Sequence, residues 1–282
     1  MITHPEKLLF PADGISKGQL AAYYALVAPV MIPHLRGRPV TMERYPAGID
    51  RKGFIQKDVS KGFPAWLERA RVPKQDGSVH HPLVNDARAL EWVANQNCIT
   101  LHVWNRRVPD IYHPDLCVFD LDPARDEPEV LRSAAVALRD LLSEIGLTSW
   151  VKTTGSKGFH IAVPLDRASP VDDVAGFAHR VGEELVRRDP DRLTLEFLKA
   201  DRGGRILIDT GRNNYSATFA APYAVRAVPG APVSAPCTWD ELVSGAVGPR
   251  TFTLRTMPDR IAAVGDLWGD LHDRPSAGLP AL

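Results

Sequence analysis

Between residues 115 and 209 the hydrophobic period of the chain changes in an order that few folds accept. "DLCVFDLD" reads as a mostly buried strand, and "EPEVLRSAAVALRDLLSEI" carries apolar residues at helical spacing up to Gly146, a residue suited to end a helix. Two strands follow, "LTSWVKT" and "GFHIAVPL", joined by the turn "TGSKG". A second helix, "PVDDVAGFAHRVGEELVRR", and a last strand, "RILID", complete the run. The β-α-β-β-α-β order predicts a ferredoxin-like, or split βαβ, sheet with one face free of helices and open to a long substrate.

Ahead of this core, Ser16 and Gln19 in "SKGQLAAYYALVA" have capping-box spacing and open a helix. "RPVTMERY" and "CITLHVW" read as strands around "NDARALEWVANQN", a helix capped by Asn85 or Asp86. The expected organisation is one α+β domain over 1–282: an N-terminal α/β module (1–114), the core (115–215) and a proline-rich wrapping segment (216–282). Lys plus Arg equals Asp plus Glu at 34 each, so any nucleic-acid surface must be a local patch. Cys98, Cys117 and Cys237 fit neither a disulfide framework nor zinc spacing and suit a reducing cytoplasm. "YYALVAPVMI" is too short and too proline-broken to span a bilayer, so no membrane role is expected.

Asp120 and Asp122 flank Leu121 at the end of a strand, so both carboxylates share one face, and Pro123 stops the strand there. Paired hard oxygens suit Mg²⁺ or Mn²⁺; the alternative is a solvated strand end. Asp209 ends "RILID", a strand that this topology can bring beside the first. Three converging carboxylates could hold two ions ~3.5–4 Å apart, the spacing of in-line nucleotidyl transfer, unless Asp209 only caps its own turn. "TTGSKGFH" offers Thr154, Ser156, Lys157 and His160 around two glycines, a loop able to meet phosphate or an ordinary hairpin turn. His102 lies on the strand before and can face the same site or the core. Basic residues such as Lys7, Lys17, Lys57, Arg202 and Arg226, with aromatics such as Phe54, suit phosphates and stacked bases or plain solvent exposure.

Taken in order, "KLLFPADGISKGQL", "PHLRGRPVTMERYP", "GFIQKD", "VFDLDP", "TTGSKGFHIAVPL", "RILIDTGRN" and "APYAVRAVPGAPVSAPCTWDEL" resemble the polymerase domain of bacterial DNA ligase D, of the archaeo-eukaryotic primase superfamily. The resemblance spans nearly the whole chain and looks like a free-standing member. It implies a primase-polymerase fold with an RRM-like catalytic core, and a template-dependent nucleotidyltransferase. Such an enzyme fills short gaps during end joining or excision repair with Mn²⁺ or Mg²⁺ and prefers ribonucleotides. By motif, Asp120, Asp122 and Asp209 are the implied metal ligands for two ions. Thr154, Ser156, Lys157 and Arg226 are implied to contact NTP or dNTP, with His102 and His160 in support. Lys7 and Lys17 match a pair that receives the 5′-phosphate beyond a gap. Phe54 matches an aromatic against the template, and Lys57 and Arg202 lie among the DNA contacts. The implied partners are gapped or end-joined DNA, a separate DNA ligase and the Ku end-binding protein, in the bacterial cytoplasm at the nucleoid. The chain departs from the family at Ile55, where a second aromatic is usual, at Glu43, where a basic residue is usual, and at His4 and Thr154.

Two other readings keep a foothold. "VFDLDP" also resembles the nucleophile strand of haloacid-dehalogenase-like phosphatases, although Ala124 stands where those carry Thr or Val. A non-catalytic DNA-end bridging module with the same fold is the other, and an acid cluster in a DNA groove speaks against it because it repels phosphate.

Overall fold

The computed structural model describes residues 1–59, 62–271, 273 and 278–281, which form two compact units. The segment beyond residue 216 is shared between them in alternating pieces.

The first unit comprises Met1–Pro109, Thr218–Ala235 and Phe252–Asp266. Strands β1 (Leu8–Phe10) and β2 (Ile15–Ser16) pair antiparallel and lead directly into helix α1 (Lys17–Leu35). Ser16 caps that helix reciprocally: Gln19 N donates to Ser16 Oγ, and Ser16 N donates to Gln19 Oε1. Strands β3 (Val40–Arg44) and β4 (Phe54–Gln56) precede a hairpin, β5 (Arg69–Lys74) with β6 (Gly77–Pro82). Helix α2 (Ala87–Asn95) is capped by Asp86, whose Oδ1 accepts from Ala89 N. Asn85 is drawn elsewhere, to Gly37 N and Glu68. Strand β7 (Cys98–Val103) is central in a sheet ordered Phe219–Ala220, β7, β3, β4.

The second unit takes Asp110–Ala217, Pro236–Thr251 and the described residues from Leu267 on. It contains β8 (Leu116–Pro123), α3 (Pro128–Glu144), β9 (Trp150–Thr153), β10 (Phe159–Pro164), α4 (Val171–Arg188), β11 (Leu193–Thr194) and β12 (Ile206–Asp209). The sheet order is β11-β12-β8-β10-β9 followed by Pro236–Cys237. Its inner four strands run antiparallel in the split βαβ order that the sequence predicts. Pro128 opens α3 at its first turn, where a missing N–H costs nothing, and Gly146 follows its end with φ +81°.

Residues directly opposite in a sheet point to the same side. Leu121 faces Phe159, Phe119 faces Ile161 and Val151 faces Ile161, so these fully or nearly buried side chains share a face. Both helices pack on β8 with stripes of their own, Leu131, Leu138 and Leu142 from α3 and Val174, Phe177 and Val181 from α4. Burying one such side chain stabilises the fold by about 1.5–3 kcal/mol. The polar residues of β8 and β10 are therefore left on the opposite face.

Within α4, Gly176 has room for a side chain, because an added Cβ would meet only Arg180 Nη1, at 3.5 Å. Gly176→Ala is expected to stabilise the protein by about 0.5–1 kcal/mol and raise its melting temperature by about 2 °C. A thermal melt reads this directly, and a fall would mean that the helix tolerates no further atom there.

Candidate active site

The face opposite the helices carries a polar row built by register alone. Asp209 on β12 lies opposite Asp120 on β8, Asp120 lies opposite His160 on β10, and His160 lies opposite Lys152 on β9. Asp122 stands two residues along β8 from Asp120 and so shares the face. The turn after β12 is pinned by Asn213, fully buried, which exchanges hydrogen bonds with both Val118 N (2.8 Å) and Val118 O (2.7 Å). That amide continues the edge of β8 where β12 has ended, and it holds Asp209 in place.

Two arginines answer the carboxylates. Arg212 Nη2 lies 3.0 Å from Asp120 Oδ2 and 3.1 Å from Asp209 Oδ2, bridging the two strands. Arg202 donates to Asp122 Oδ2 at 2.9 Å and also to Glu196 O and Phe197 O. Arg202, expected from the resemblance among the DNA contacts, is 3% exposed and clamps its own loop to Asp122. Burial pushes the Asp120 carboxyl up, but neighbouring His160 and Arg212 outweigh it and hold the group well below the usual carboxylate range. Asp209 goes the other way: burial raises it, Arg212 pulls it back, and the charges of Asp120 and Asp122 add to the rise. His160 is lowered to about 4 by burial and by the charge of Lys152, so its ring is neutral at ordinary pH. Lys152 Nζ, 2.7 Å from His160 Nδ1, is a donor and leaves the ring proton on Nε2, 3.5 Å from Asp120 Oδ2.

Among the described residues no group of three or more His, Cys, Asp and Glu side chains is arranged to hold a metal ion. The donor set nevertheless suits a hard divalent cation. Three carboxylates share one face, and their mutual repulsion is relieved only by positive charge, which the two guanidiniums supply here.

The loop between β9 and β10 closes on Thr154. Its Oγ1 accepts from Ser156 N and Gly158 N, each at 3.1 Å, and donates to Gly158 O at 3.0 Å. This hydroxyl shapes the loop, Gly155 turns it with φ +63°, and Lys157 is left exposed at its tip. A cavity of about 440 Å³ opens beside it, with Pro123, Arg125, Ser156, Lys157 and Arg250 in its lining.

The first unit holds the remaining predicted residues. Lys7 O accepts from Lys17 N, and Lys17 Nζ, nearly buried, donates to Thr3 O (2.7 Å) and Thr3 Oγ1 (3.1 Å). Burial and then the Lys7 charge lower the Lys17 ammonium, so two cations stand close together. On edge strand β4, Phe54 and Ile55 are both exposed, and the Arg44 guanidinium lies 5.1 Å from the Phe54 ring centre. Lys57, just past that strand, is exposed. His102 on β7 sits 3.1 Å from Glu43 Oε2, while Tyr45 donates to Glu43 Oε1 at 2.8 Å. Burial raises Glu43, but His102, Tyr45 and the Arg226 charge bring it down to about 2. Glu43 is thus the anchor of His102.

Sequence reasoning passed over Lys152 and Asn213, and named Arg212 only as one of several cations near the site. The signal for Lys152 was a lone lysine inside an apolar strand, and for Arg212 a cation three residues after an aspartate at a strand end.

Residues 16–268 match the family model described as LigD, primase-polymerase domain. The Mycolicibacterium smegmatis protein called multifunctional non-homologous end joining protein LigD is 34% identical over 280 residues, covering 98% of this chain and 36% of that protein. The Bacillus subtilis bifunctional non-homologous end joining protein LigD is 30% identical over 275 residues, covering 97% of this chain and 44% of that protein. The chain therefore spans less than half the length of these relatives. Among solved structures, the polymerase domain from Mycobacterium tuberculosis ligase D in complex with DNA superposes with a TM-score of 0.90 at 36% identity. That match covers 96% of this chain and 97% of the other.

Proposed function

The chain belongs to the LigD primase-polymerase domain family, and on that premise we propose that it extends DNA 3′-ends across short gaps during end joining, as a template-directed nucleotidyltransferase favouring ribonucleotides. The observation that carries this reading is the in-register row Asp209, Asp120 and His160 beside the Lys157 loop, on the helix-free face. Asp120, Asp122 and Asp209 would hold the divalent metal that the family needs, read here as two Mn²⁺ or Mg²⁺ ions, with Arg212 and Arg202 giving up the carboxylate oxygens they now occupy. Such ions lower the pKa of a hydroxyl nucleophile and neutralise a leaving phosphate.

The chain's own groups do the rest. Lys157 and the loop amides bring fixed positive charge to the triphosphate, where charge builds up during displacement. His160, neutral and held by Lys152, offers an Nε2–H beside Asp120 rather than a second cation. His102 and Arg226 are proposed to contact the nucleotide as well. The phosphatase alternative has lost its ground, because the family match runs through the D-x-D strand and far to either side of it.

The decisive assay is extension of a gapped duplex with ribo- or deoxynucleotides, in Mn²⁺ and in Mg²⁺. Incorporation that ignores the template, or none in any mixture, sinks the reading. Lys7 and Lys17 are proposed to receive the 5′-phosphate across the gap, with Phe54 and Lys57 on the template. Lys17→Ala is expected to weaken the stimulation given by a 5′-phosphate about tenfold, the scale of one charged hydrogen bond. Undiminished stimulation would move the phosphate elsewhere. The partners proposed beyond DNA are a ligase that seals the product and the Ku end-binding protein, in the bacterial cytoplasm. Among the described residues no helix is long and apolar enough to cross a membrane.

A further inference from the structure

We propose that the cavity beside the phosphate loop is a polyphosphate subsite, and that Arg250 and Arg125 bind there the triphosphate tail of the substrate and then the pyrophosphate it becomes. The inference rests on the polymerase reading for the identity of the nucleotide, but the binding it describes does not depend on catalysis.

Three cations reach this cavity from three distant segments. Arg125 follows the D-x-D strand, Lys157 sits at the tip of the loop, and Arg250 comes from the stretch Gly248–Thr251. A single acid, Asp126, shares the lining. Both arginines are exposed, and Arg125 Nη1 also lies 4.0 Å from Glu127 Oε1. Arg250 Nε donates to Ser156 O at 2.7 Å, which sets its planar fork against the loop and leaves its terminal nitrogens facing outward from that bond. Arg125 lies across Gly204, which has φ +90°, and an added Cβ there would stand 2.8 Å from Arg125 Cζ. The glycine answers to its positive φ, and the guanidinium rests on the open space beside it.

The chemistry follows from the shape. Guanidinium groups present several N–H donors in a plane and pair bidentately with phosphate oxygens, whereas Lys157 acts as a point charge. At about 440 Å³ the cavity is far larger than one phosphate and has room for a chain of them. It adjoins Pro123, the last residue of β8, and so lies at the strand end that carries Asp120 and Asp122. Two positioned arginines and a lysine are suited to such a highly charged ligand. A substrate binding both before and after bond cleavage predicts effects on affinity more than on turnover.

The test measures binding of inorganic tripolyphosphate and of pyrophosphate to the full chain by calorimetry, with no nucleotide or DNA present. Both are expected to bind, and Arg250→Ala and Arg125→Ala each to weaken them about tenfold. In extension assays the same variants are expected to raise KM for the nucleotide and the pyrophosphate inhibition constant together, with kcat within about twofold. Arg250→Lys keeps the charge and is expected to recover part of the loss, which loop damage would not allow. Because Arg250 also anchors Ser156, Arg125→Ala serves as the variant whose side chain has no hydrogen bond to the phosphate loop in the structure, its ion pair being with Glu127. Tripolyphosphate binding that is absent, or indifferent to both arginines, overturns the proposal. Weakened DNA affinity with polyphosphate binding unchanged would reassign the cavity to a nucleic-acid backbone. Normal polyphosphate binding in a chain that extends no primer would retain the subsite and refute the polymerase reading instead.

Discussion

Asp120→Asn is expected to lower primer extension by about 10³-fold or more while the affinity for gapped DNA stays within a few-fold. Asp120 is the one acid flanked on both neighbouring strands, by Asp209 and by His160, so it is the shared corner of the site. The amide keeps nearly the same volume and removes one negative charge from a face whose chemistry depends on three. Losing charge stabilisation of several kcal/mol at the reacting centre corresponds to roughly three powers of ten in rate. The fold should survive the change. Arg212 keeps Asp209 at 3.1 Å, and the helix-side core behind Phe119 and Leu121 is untouched. Circular dichroism and a melt check that premise, single-turnover extension gives the rate, and a gel shift gives the affinity. Extension near the unmodified rate in a folded Asp120→Asn protein would remove Asp120 from the chemistry and the metal assignment with it.

How much of this was legible beforehand differs from element to element. The four strands and two helices of the core could be read because each is long enough for its period to show, and because the split βαβ order then dictates which strand ends meet. That is why Asp209 could be placed beside Asp120 before any coordinates. Strand β11 and the pair Pro236–Cys237 each contribute two residues, too few to have a period, and they join the sheet through backbone pairing alone. The β5–β6 hairpin also went unread. Pro73 interrupts its first strand, and the histidines of "GSVHHP" blur the alternation of its second.

Counter-charges were the least visible part of the site. Nothing in the spacing of "IDTGR" distinguishes an arginine that faces solvent from Arg212, which bridges two strands, and Arg202 looks like a surface cation until its loop is seen folded back. Lys152 is one letter of the strand "LTSWVKT", with nothing in the sequence to mark it as part of the site. Register alone shows that it lies opposite His160, and its side chain is fully buried. The position of Glu43 across β3 and β7 gives His102 a carboxylate partner, which the sequence does not announce. These are pairings between distant segments, which a linear pattern does not encode.

Gly158→Ala is expected to be among the most damaging single-methyl additions in the chain, with a fall of about 3 kcal/mol or more in stability and extension largely lost. The residue sits between Lys157 and the first residue of β10, directly against β8. An added Cβ would collide with the Leu121 carbonyl oxygen, would lie 2.9 Å from the Leu121 carbonyl carbon, and would stand 3.4 Å from Pro123 Cδ. The obstacle is backbone, not a flexible side chain, so it cannot swing aside. Either β10 moves off β8, or the loop lifts and the bonds that Thr154 makes to Gly158 N and O are lost. Both routes separate the Lys157 loop from the Asp120–Asp122 strand, so the two halves of the proposed site cannot be repaired independently. For a chain of this size the melting temperature should drop on the order of 10 °C. Gly176→Ala is the matched control, the same chemical change made where the helix has space. If Gly158→Ala melts like that control and extends primers at the usual rate, β8 and β10 do not approach as closely as the register requires. The carboxylate row would then need another geometry.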